Sequence, residues 1–186
     1  MSVATSVASG MHAALLLARG RPDGMRYVED DMAGAARSFW AVVVCLPLFV
    51  CLRQIDAEAD VADQVHQFVL DLLTFVIGWV GFALVSLQVV MAIGRAQRWP
   101  RFIVIWNWCN VVQCLIVLAA SLPGLLGAPA VLDQTALLVA KCWSLWLEWF
   151  AIRLALGISP LAAVGMVALD LGIGIGLAAL TSPVQG

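Results

Sequence analysis

The sequence predicts an all-α protein, a polytopic helical membrane bundle of five transmembrane helices with its amino terminus inside and its carboxyl terminus outside. Three observations predict it. Of the 186 residues 63% are hydrophobic and only 12% charged, against roughly 25% charged in a soluble domain, and the mean hydropathy is +0.98. The apolar residues fall into five runs near the length of about 20 residues that a bilayer requires. The arginines crowd into alternate connecting segments, which fixes the direction of insertion. A formal charge of −2 spread over short loops offers no basic patch, so nucleic acid is not expected as a partner.

Residues 1–34 read as a cytoplasmic segment. Its apolar run is only about eight residues long and has no basic residue before it, which argues against a cleaved leader. A short interfacial helix over residues 11–19 is expected instead, closed by the Arg-Pro-Asp-Gly turn at 21–24. The transmembrane domain is residues 35–182. Its first span, about 37–55, follows a helix cap at Asp30 or Asp31, carries a kink at Pro47, and lets Arg53 reach back to the interface. Asp56, Glu58, Asp60 and Asp63 then form an acidic solvated face; four carboxylates alone do not make a cation site.

The second span, about 68–93, holds Asp71 near its entrance and Gln88 near its exit. The third, about 102–122, places Asn107, Asn110 and Cys114 on one stripe, and a Pro/Gly-rich turn at 121–130 follows. The fourth and fifth, about 131–153 and 158–180, close the bundle. Arg19, Arg21, Arg26, Arg37, Arg95, Arg98, Arg101 and Arg153 all fall on one side of these spans, and only Arg53 on the other. That count places the amino terminus in the cytoplasm. Nine arginines to one lysine, with abundant alanine and valine, suit a GC-rich bacterial genome and hence a bacterial inner membrane.

The polar residues inside the spans are the candidate site. Gln134, Lys141 and Glu148 recur every seven residues and form one stripe, with Trp143, Trp146 and Phe150 opposite. Antiparallel neighbours set residues level when they are equally far from the loop centre. With centres near 156 and 97–98, that rule pairs Lys141 with Asp170 as an ion pair and Gln88 with Asn107 as a hydrogen-bonded pair. The intramembrane polar network is therefore Lys141, Asp170, Glu148, Asp71, Gln88 and Asn107. It serves either as glue between helices or as a path for a proton, ion or small solute.

Gly165, Ala168, Gly172, Gly176 and Ala179 form a stripe of small residues on the fifth span, suited to close approach by another helix. Trp40, Trp99 and Trp149 are expected as interface anchors, with Trp143 and Trp146 deeper. Cys45, Cys51, Cys109, Cys114 and Cys142 read as small packing residues. His12 and His66 are solitary. The Gly-Ile-Gly-Ile-Gly run at 172–176 lacks the strand and acidic partner of a nucleotide site. No catalytic, cofactor-binding or metal-ligating residue is assigned, no cofactor is expected, and the chain does not read as an enzyme.

Residues 143–177, WSLWLEWFAIRLALGISPLAAVGMVALDLGIGIGL, combine an aromatic-rich helix ending in a basic residue, a short turn and an alanine- and glycine-rich last helix. This resembles the last spans of the Yip family, five-span integral membrane proteins named for interaction with Rab-type GTPases. The resemblance implies a non-enzymatic protein of membrane organisation, or a scaffold for partner proteins. The alternatives are a small transporter or transporter subunit with a Lys/Asp/Glu polar path, and an accessory subunit of a larger membrane complex. The expected partners are the lipid bilayer and other membrane subunits or a second copy.

Overall fold

In a computed structural model, which describes residues 3–55 and 61–181, all described elements are helices. The first, α1 (Val3–Ala18), starts eight residues earlier than the expected interfacial helix and belongs to the bundle. Gly10, Ala13, Ala14 and Leu17 recur at helical spacing and are buried. Small side chains let α1 lie close to its neighbour: a methyl group at Gly10 would overlap the indole of Trp108. A left-handed Gly20 (φ 72°) ends the helix, and a 3-10 turn, Pro22–Tyr27, follows.

The first span is built from two helices. α2 (Met32–Ser38) is capped by Asp31, whose Oδ1 accepts from Gly34 N at 2.5 Å. α3 (Trp40–Ile55) continues it after a break at Phe39 and runs through Pro47 without interruption. Together they give an apolar span over Met32–Leu52, beginning before the expected residue 37. The acidic residues Asp56, Glu58 and Asp60 lie outside the described residues, as do the side chains of Arg53 and Asp63.

α4 (Val61–Ala92) starts seven residues before the expected 68, because no glycine or proline interrupts the chain between Val61 and the apolar run. It ends before Gly94 (φ 69°), and a 3-10 turn, Ala96–Arg98, leads into α5 (Trp99–Ala120). A one-turn helix, α6 (Leu122–Leu125), precedes α7 (Ala130–Leu156), and α8 (Pro160–Thr181) closes the described chain. Five of these units are long and apolar enough to cross a membrane.

α5 is the axis of the molecule. It is the most buried of the five spans, packed by α1, α2, α3 and α7, while α8 rests on α4 and α7. An aromatic ladder ties α3 and α4 to this axis. Phe49 stacks on Phe75 at 4.9 Å, Phe75 meets Trp79 at 5.3 Å, and Trp79 and Phe82 meet Trp106 at 5.5 and 4.6 Å.

The arginine-bearing loops gather at one end. Arg98 Nη1 donates to Leu156 O at 3.1 Å, tying the α4–α5 loop to the α7–α8 turn. Arg101 Nη2 donates to Met25 O at 2.8 Å, holding the amino-terminal turn on α5, and Arg37 pairs with Glu29. The same residues that mark orientation in the sequence are structural clamps in the fold.

Candidate functional site

Among the described residues three polar sites lie between the spans, and their partners differ from those expected. At the first, Asn107 is fully buried on α5. Its Oδ1 accepts from Trp79 Nε1 at 2.7 Å and its Nδ2 donates to Ser38 Oγ at 2.7 Å, which in turn donates to Ala35 O. One amide thus joins α2, α4 and α5. Gln88 takes no part and is exposed. The expected pairing fails because the level rule assumes both helices stop at the loop. α5 instead begins at Trp99, whose buried indole donates to Ser86 Oγ at 3.2 Å, so Asn107 stands level with Trp79, about two and a half turns from Gln88. Trp99 is accordingly a core residue, not an interface anchor.

At the second site α7 and α8 bring together two acids. Glu148 is 6% exposed and Asp170 half-buried, and their carboxyl groups are within hydrogen-bonding reach of each other. Trp106 of α5 borders Asp170, and the buried Cys109 borders Glu148. Glu148 Oε1 is enclosed without a hydrogen-bond partner. Among the described residues no Lys or Arg pairs with either acid. Two carboxyls in contact without a cation can share one proton, one group donating and the other accepting.

Lys141 does not reach Asp170, which corrects the expected ion pair. α7 continues to Leu156, three residues past the Arg153 where the span was expected to end, before Gly157 (φ 60°) caps it and Pro160 starts α8. The apex moves along the chain from 156, and Glu148, not Lys141, comes level with Asp170. Lys141 is exposed roughly 10 Å further along the axis. Asp71, half-buried on α4, lies further still from Asp170. With Gly78 beside Leu177, it falls roughly 20 Å from Asp170 along the bundle.

Lys141 marks the third site. It lines two adjoining open-sided cavities of about 380 and 390 Å3, the first among α3, α5, α6 and α7 and the second among α3, α5, α7 and α8. The outer one includes Asp133, whose Oδ1 accepts from Gly124 N at 3.0 Å. The inner one is apolar apart from Gln113, Ser144 and Lys141. Sequence reasoning missed Ser38, Trp79 and Ser86 as polar partners, and the contact between the Cys45 and Cys114 thiols across α3 and α5. Serines at helical positions facing other spans were the available signal.

On α8 the stripe of Gly165, Ala168, Gly172 and Gly176 is exposed, and a methyl group added at any of the three glycines would meet nothing within 4 Å. The bundle itself does not cover this face. The five apolar helices and a polar interior confined to a few buried groups define the class: this is an integral membrane protein. Comparison with known protein families, with characterised proteins and with solved structures finds no match.

Proposed function

We propose that the protein is a small membrane transporter, or a subunit of one, whose working group is the Glu148–Asp170 pair. The observation that supports this reading is a carboxyl pair inside the membrane bundle with no basic partner among the described residues. A pair of acids that can hold one proton between them can also take up and release a proton or small cation, and intramembrane acids commonly mark such paths. In the proposed orientation the arginine-rich end faces the cytoplasm of a bacterium.

The test is flux in proteoliposomes containing a pH-sensitive dye, with the full chain reconstituted and an imposed gradient of protons or of a monovalent cation. The native chain dissipates the gradient, and Glu148→Gln and Asp170→Asn, both isosteric, abolish that activity while eluting as folded protein. Retained flux in both variants would exclude the pair as the working group.

A second reading is favoured by the uncovered stripe on α8. It is that of a Yip-like scaffold, or an accessory subunit, which docks a partner helix on Gly165, Ala168, Gly172 and Gly176. This reading expects no flux from the isolated chain, so the same measurement separates the two.

A further inference from the structure

The cavity at Lys141 has an order of chemistry along its length. Asp133 stands at the outer mouth, Lys141 lines both compartments, and beyond it the inner compartment is walled by Leu145 and Leu171. Lys141 makes no ion pair or hydrogen bond among the described residues. Ser144 Oγ, in the inner compartment, is enclosed without a partner. A cation among apolar helices requires an opposite charge or water, and an enclosed hydroxyl requires an acceptor.

We propose that this cavity binds one aminophospholipid from the leaflet at the α6 end. Its phosphate sits on the Lys141 ammonium, its primary amine on the Asp133 carboxylate, and one acyl chain lies in the inner compartment. From the surface inward such a lipid presents ammonium, phosphate, ester carbonyl and hydrocarbon. The cavity presents carboxylate, ammonium, hydroxyl and leucine in the same order.

The spacing agrees. Asp133 and Lys141 are about 12 Å apart along α7 at 1.5 Å per residue. Side chains on a helix lean toward its amino terminus, and the longer lysine reaches back further than the aspartate leans away, so the gap narrows and still leaves room for a phosphate–ammonium headgroup. The Ser144 hydroxyl, enclosed in this structure, turns toward the cavity to donate to the ester carbonyl. A purely anionic headgroup would leave the Asp133 carboxylate facing like charge, and a quaternary amine would bring it no N–H donor. The residues lining the cavity do not include Glu148 or Asp170, so this inference stands apart from the transport reading and needs only the membrane placement.

The test is native mass spectrometry of the full chain released from nanodiscs holding equal parts of phosphatidylethanolamine, phosphatidylglycerol and phosphatidylcholine. The native chain retains one phosphatidylethanolamine, at about tenfold the occupancy of either other lipid. Lys141→Met loses retention and Lys141→Arg keeps it. Asp133→Asn, which preserves an oxygen for Gly124 N–H, binds phosphatidylethanolamine and phosphatidylglycerol alike. Glu148→Gln, a control, leaves lipid retention unchanged. No retained lipid, or equal retention by Lys141→Met, would mean that Lys141 merely reaches the interface and would overturn the proposal. Preference for phosphatidylglycerol by the native chain would overturn it too.

Discussion

Asn107 carries more of the interior than any charged residue. Its side-chain amide joins three helices by hydrogen bonds, and both partner side chains, Trp79 and Ser38, are buried. Asn107→Leu keeps the branched shape but strands the Trp79 N–H. Hydrogen bonds between membrane helices average about 0.6 kcal/mol and reach about 1.7 kcal/mol, and an orphaned buried donor adds to the loss. We expect Asn107→Leu to lower stability by about 1–2 kcal/mol, read as the midpoint of unfolding in a dodecyl sulfate titration of detergent-solubilised protein. A midpoint equal to that of the native chain would show that the amide is not holding α4 on α5. The polarity of Asn107 was legible in the sequence as a group needing a partner. Its partners were not, because Trp and Ser look like ordinary packing residues until a neighbouring helix presents an acceptor.

The elements are set by their stops. α7 runs to Leu156 because Leu154, Ala155 and Leu156 contain no helix breaker, and it halts where Gly157 adopts φ 60°. Gly157 N–H donates to Arg153 O at 2.9 Å, satisfying one of the last carbonyls. A residue with a Cβ in this conformation costs roughly 1–2 kcal/mol, and here the added methyl would also crowd the Arg98 guanidinium that holds the turn from the α4–α5 loop. Gly157→Ala is expected to destabilise the protein by roughly that amount, and Gly157→Asn by less, in the same unfolding titration. Equal midpoints for all three would mean the turn is dispensable. Three residues of helix at this turn decide whether Lys141 or Glu148 meets Asp170, so a small error in a helix end becomes a change of partner in the middle of the membrane.

For the whole molecule, the decisive comparison is between Lys141 and Glu148 as the neighbour of Asp170. If Lys141 and Asp170 held the bundle together, each single change would cost stability and exchanging the two would restore it. The structure puts Asp170 against Glu148 and leaves Lys141 in a cavity. Lys141→Asp combined with Asp170→Lys is therefore expected to show no recovery relative to its single changes, and Asp170→Asn alone to keep the native yield of folded protein in detergent. Recovery by the exchange would restore the ion pair and displace the carboxyl pair from its central place.

Composition and run length alone determined the membrane class and the number of spans, since burial in lipid demands long apolar helices whatever their arrangement. The grouping of the arginine loops at one end was also legible, because antiparallel hairpins alternate ends by necessity. Only the tertiary structure decided that α1 packs into the bundle, that α5 is its axis, and that Glu148 meets Asp170. Contacts between helices depend on where each helix stops and how far it slides against its neighbour, and a shift of a few residues rotates a different face inward. Sequence periodicity records the faces a helix has; packing against the other helices selects the one that is used.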